Sequence, residues 1–158
     1  VSEWMRNHTI RLAGQIQEST LADIRSAIAE GLDAGETVAQ IAARINNAGT
    51  FGGYRSEMIS RTETASAYVE GEKEGWRQSG VVEGVKWLLA PSACEFCEAA
   101  AMEFADKVQP INQPFYTLGQ MLVGTEGGVM AINYRNITGP PLHPHDRCDL
   151  IPVLGETE

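Results

Sequence analysis

Cys94-Glu95-Phe96-Cys97 and His143-Pro144-His145-Asp146-Arg147-Cys148 hold all three cysteines of the chain and two of its three histidines. Zinc takes four soft or borderline ligands in a tetrahedron, and a two-residue spacer lets both thiolates of a CxxC reach one ion. Cys148 offers a third thiolate. The fourth ligand falls to His143, His145 or Asp146. Three thiolates plus one further protein ligand leave no open position for water, so the pattern reads as a structural metal clip rather than a catalytic centre.

The same residues have other chemical uses. A redox CxxC wants a strand before it and a helix after it. Val85-Lys86-Trp87-Leu88-Leu89 and Glu98 to Phe104 fit that locally, but redox use leaves the His/Cys cluster unexplained. A disulfide framework would leave one of three cysteines unpaired. His143, His145, Asp146 and Arg147 also outline an acid/base and phosphate-clamping set such as a nuclease uses. Arg61 and Glu63 form a further polar pair. Two residues apart on a helix, they point in different directions. They read as structural, one pairing toward the sheet and the other facing solvent, and no residue is assigned as catalytic.

The elements that must position these residues follow from periodicity. Ile16, Leu21, Ile24, Ile28 and Leu32 mark one apolar stripe of a helix, with Ser19 or Thr20 as its cap and Gly31 and Gly35 at its end. Thr37 with Gln40 is a capping box for a second helix, buried through Val38, Ile41 and Ile45. Asn46-Asn47-Ala48-Gly49 stops it. This pair has the outline of a helix-turn-helix, a DNA-reading hypothesis. The second helix offers one basic residue, Arg44, on its outer face, so a packing unit is the better reading. A long third helix is expected from Tyr54 to Gln78, weakened at Gly71 and Gly75.

The second half reads as strands and turns. Strands are expected at Val82–Leu89, Lys107–Pro110, Gln120–Val123, Val129–Ile132 and Leu150–Leu154, with a short helix after the CxxC. Gly124-Thr125-Glu126-Gly127-Gly128 is a hairpin turn. It lacks the following Lys-Ser/Thr and helix of a phosphate loop. The fold class is therefore α+β: N-terminal helices followed by a small, mostly antiparallel sheet clipped at the metal-type site. Residues 1–50 form a helical hairpin region and 51–158 a second domain.

Composition sets limits. The chain has 158 residues with 21 acidic and 12 basic side chains, a formal net charge of -9. Such a balance disfavours gripping nucleic acid directly, because phosphate neutralisation needs clustered Lys and Arg. No stretch approaches the roughly 20 apolar residues that cross a bilayer. Reduced thiols without an export signal point to synthesis in the cytoplasm. The Val1 start suggests a piece of a longer protein.

Arg61-Thr62-Glu63-Thr64, Lys86-Trp87-Leu88, Cys94-Glu95-Phe96-Cys97, Pro114-Phe115, Pro140-Pro141-Leu142-His143-Pro144, Arg147-Cys148 and Pro152-Val153 occur in an order that resembles the Mu F-like phage head morphogenesis family. The resemblance spans Tyr54 to Val153. It implies a minor head protein of a tailed phage or prophage, placed in the head interior with portal and capsid proteins as partners. Its contact with packaged DNA would be indirect, and neither membrane nor small-molecule substrate is implied. The family often ends in His-Pro-x-Cys-Arg-Cys, and this chain has Asp146 where the first of those cysteines would stand. The ligand set is then Cys94, Cys97, His143 and Cys148 around a structural zinc, with His145 or Asp146 as the alternative ligand. The helical hairpin, outside the strongest resemblance, is the candidate assembly contact. Trp4 is expected to pack on a partner or an upstream domain.

Overall fold

The computed structural model describes residues 18–47 and 53–155. Among them are four helices and five short strands, a mixed α+β fold with a small antiparallel sheet, as the pattern predicts. Trp4, Ile16, Ala48, Gly49 and the acidic end from Glu156 lie outside the described residues. The chain divides into two compact units, Val1–Tyr68 and Val69–Glu158. The division falls inside a continuous helix rather than near residue 50, where 48–52 lie outside the described residues.

In the first unit, α1 (Glu18–Asp33) and α2 (Val38–Asn47) pack with the first half of α3 (Gly53–Ser79). Leu21, Ile24 and Ile28 of α1, Ile41 and Ile45 of α2, and Ile59 and Ala67 of α3 form the core. The α1 and α2 members are the apolar stripes of the sequence, buried because that face alone is apolar. Helix α1 passes through Ser19, Thr20 and Gly31 rather than being capped or ended there. A side chain at Gly31 would meet Ile41 at 2.5 Å, so this glycine serves close helix approach. Gly35 ends the helix with a φ of 67°. The Glu36 amide bonds back to Gly31 O and the Gly35 amide to Leu32 O, a Schellman motif.

Thr37 and Gln40 form the expected capping box: the Thr37 amide donates to Gln40 Oε1 at 2.8 Å and the Gln40 amide to Thr37 Oγ1 at 3.4 Å. Arg44 is committed within the hairpin. Its Nε and Nη2 each reach a Glu36 oxygen at 2.7 Å, and Nη1 reaches Glu30 at 3.3 Å. The one basic group on the outer face of α2 is thus already bridged to carboxylates.

In the second unit, β1 (Val82–Leu88) is the central strand of a sheet ordered β2-β1-β5, all antiparallel. The flanking strands are β2 (Gln109–Pro110) and β5 (Asp149–Leu154). Strand β2 is shorter than expected, since Lys107 and Val108 do not join it. Pro152 has no amide proton and is tolerated because β5 is an edge strand. Helix α4 (Glu95–Glu103) begins inside the CxxC rather than after it. Strands β3 (Met121–Val123) and β4 (Val129–Ala131) form a separate hairpin. Trp87 and Phe104 each meet Phe115 edge-on, at 5.1 and 4.9 Å between ring centres, which fixes β1, α4 and the following loop around one aromatic centre.

Candidate metal centre

Cys94 is the N-cap of α4 and Cys97 lies in its first turn. Residues three apart on a helix share a face. That spacing turns both sulfurs toward one point. The opposite wall comes from the 142–148 turn. His143 Nε2 stands 3.0 Å from Cys94 Sγ and 3.3 Å from Cys97 Sγ. An ion bonded at about 2.3 Å to sulfur and 2.0 Å to nitrogen would hold such atoms about 3.5 Å apart. The two observed spacings are about 0.5 and 0.2 Å shorter than that edge.

Cys148, directly before β5, completes the set from the buried side. The ligand atoms of Cys94, Cys97 and His143 all lie within 4.8 Å of one another, as do those of Cys97, Asp146 and Cys148, so Cys97 joins both groups. Cys94, Cys97, His143 and Cys148 are positioned to bind a metal ion. The three thiols are not in disulfides. Cys94 is exposed, while Cys97 and Cys148 are buried. The neighbouring Cys148 thiol, with burial, pushes Cys97 well up, while the Cys97 thiol draws Cys148 down from the ordinary thiol range against the effect of its burial. Metal uptake must remove the thiol protons.

The imidazole is held in the tautomer a ligand needs. His143 Nδ1 lies 2.8 Å from Pro144 O, and donating its proton there leaves Nε2 with a lone pair toward the sulfurs.

The two alternative ligands differ: Asp146 stands in the cluster with Cys97 and Cys148, and His145 in neither cluster. His145 is exposed and sits at a φ of 64°. Asp146 is buried close to the thiols, but its oxygens are engaged by backbone. Oδ2 accepts from the Leu142 amide at 2.6 Å and Oδ1 from the Cys148 amide at 2.8 Å. It shapes the turn that carries the ligands. The acid/base set drawn from this segment does not converge either. His143 faces the cysteines, Asp146 the backbone, and Arg147 donates to Pro91 O at 3.3 Å.

Arg61 and Glu63 diverge as their spacing requires. Arg61 is at the surface and pairs with Glu57 of its own helix at 2.9 Å, while Glu63 is the buried member. Two contributors were missed in the sequence. Lys73, on the long helix α3, is 1% exposed and donates to Glu70 Oε1 and to Thr138 O. Glu95, read only as a spacer in the CxxC, holds the β3–β4 turn. Its flanking cysteines masked that role, and no short-range pattern links residue 95 to residue 128.

No family model, curated protein or solved structure matches the chain. Among the described residues, no helix is long and apolar enough to cross a membrane.

Proposed function

We propose that this chain is a head morphogenesis domain of a tailed-phage minor capsid protein, built around a structural zinc site. One observation carries the reading. The segments with the motif resemblance, Cys94–Cys97 and His143–Cys148, meet in two ligand clusters that share Cys97, one with Cys94 and His143 and the other with Asp146 and Cys148. Three sulfurs and one imidazole nitrogen suit zinc better than hard, oxygen-seeking cations. Such a site would bind β5 to the knuckle after β1 and contribute folding energy. Apparent zinc affinities in small domains reach about 10–16 kcal/mol, comparable with the whole stability of a domain, about 5–15 kcal/mol. The protein would act in the head interior beside portal and capsid proteins, as scaffold rather than enzyme.

Mass spectrometry of purified particles from the phage or prophage that encodes the chain tests this. The expected result is low-copy presence in DNA-filled heads and co-purification with the portal. Absence from particles overturns it. The alternative, a metal-dependent nuclease, predicts divalent-dependent cleavage of DNA or RNA by the purified chain.

A further inference from the structure

The turn between β3 and β4 is built around a side chain of the metal knuckle. Glu95 Oε2 accepts the Gly128 amide at 2.9 Å and the Glu126 amide at 3.2 Å. The Thr125 amide donates to Glu95 O at 3.2 Å, and Thr125 Oγ1 to Glu98 at 3.0 Å. Four hydrogen bonds thus join one hairpin turn to the first turn of α4, the turn that carries Cys94 and Cys97. The turn is glycine-rich for space. A side chain at Gly124 or Gly128 would come within 2.3 or 2.4 Å of the Glu95 carboxylate, and the three nearest atoms to either position belong to Glu95. Glycine-rich turns expose amides that gather an anion. Here that anion is the chain's own Glu95.

We infer that the β3–β4 hairpin is the outer brace of the metal site, with Glu95 as a positioning residue that makes hairpin docking and metal binding one linked event. Glu95 lies between the two CxxC ligands, so seating its carboxylate fixes the helical turn on which their sulfurs converge. By linkage, an ion that orders the knuckle also tightens the hairpin. Partners outside the ligand shell typically change metal affinity by about 10–100-fold. The inference rests on the metal-site reading alone and is independent of any role in phage heads.

The test is Co(II) and Zn(II) affinity of the full chain by chelator competition, well below the melting temperature, with amide exchange at Glu126 and Gly128. Glu95→Ala and Gly128→Ala should each weaken Co(II) binding about tenfold or more. The cobalt absorption bands should stay in place, because all four ligands remain. Gly128→Ala should add nothing in the Glu95→Ala background, since the obstacle to its methyl group is gone. The two amides should exchange faster once metal is removed from the wild type. Wild-type affinity in both single variants, or metal-independent exchange, overturns the linkage. Failure of the wild type to take up cobalt overturns the metal site itself, and the linkage with it.

Discussion

Asp146 Oδ2 accepts a 2.6 Å hydrogen bond from the amide of Leu142, four residues upstream. With Oδ1 on the Cys148 amide at 2.8 Å, one buried carboxylate pins both ends of the turn that presents His143. Hydrogen bonds to a charged acceptor contribute about 1.5–3 kcal/mol each, and orphaned buried amides cost more. Asp146→Ala should therefore destabilise the chain by about 2–4 kcal/mol in urea unfolding. It should still bind one metal ion, because the cysteines and His143 remain. Loss of metal stoichiometry in a folded variant would instead make Asp146 a ligand.

Cys94 gives the cleanest ligand test because it is exposed and contributes little to the core. Cys94→Ser should cost almost nothing in burial but remove one of four metal bonds. Chelator should sharply lower the melting temperature of the wild type and leave that of Cys94→Ser nearly unchanged. A wild type indifferent to chelator would mean that the three thiols and His143 hold together without an ion.

Thr37→Ala should lower stability by about 1 kcal/mol, the usual worth of an N-cap hydroxyl. The capping box is the contact that makes Thr37 matter. Urea unfolding followed by helical circular dichroism would measure it, and an unchanged midpoint would show that tertiary packing alone starts α2.

That cap shows which parts of the fold were legible. Thr37-x-x-Gln40 and the Ile24, Ile28, Ile41 and Ile45 stripes are local signals, and they appear where spacing put them. The CxxC was legible for the same reason: its two sulfurs meet through helical spacing alone. The split between ligand and support in His143–Cys148 was not. Asp146 has ligand chemistry, and only the fold reveals that its oxygens are taken by backbone amides. The lysine was illegible too. On α3, Lys73 looks like its solvated neighbours Glu72 and Glu74, and its burial is decided by Thr138, 65 residues away. Helix α3 was legible as an element, expected from Tyr54 to Gln78 and running Gly53–Ser79, but buried Ser60, Thr62, Glu63 and Ser66 interrupt its apolar pattern.

Lys73 also gives a prediction with a pH signature. Its Nζ donates to Glu70 at 2.9 Å and to Thr138 O at 3.1 Å, and the Thr138 hydroxyl donates to the same Glu70 oxygen. Burial draws Lys73 below its ordinary 10.5, although Glu70 opposes the change. Burial would raise Glu70, but the ammonium and the Thr138 hydroxyl outweigh it and hold Glu70 below 4.5. A carboxyl with a depressed folded pKa contributes stability that is present above its unfolded value and lost as pH falls through the folded one. A lysine with a depressed folded pKa binds fewer protons folded than unfolded, so stability rises with pH in the window just below 10.5. Removing one member of a buried pair costs about 3–5 kcal/mol, and partial exposure of Glu70 moves the expectation for Lys73→Met to about 2–3 kcal/mol at neutral pH. Without the ammonium, burial should raise Glu70, so acidification should relieve the variant while it weakens the wild type. The gap between the two should close below about pH 4.5. Urea midpoints of both chains between pH 3 and 10 would show this convergence. Parallel curves would mean that the Glu70–Lys73 pair is electrostatically silent and that Lys73 is held by the Thr138 carbonyl alone.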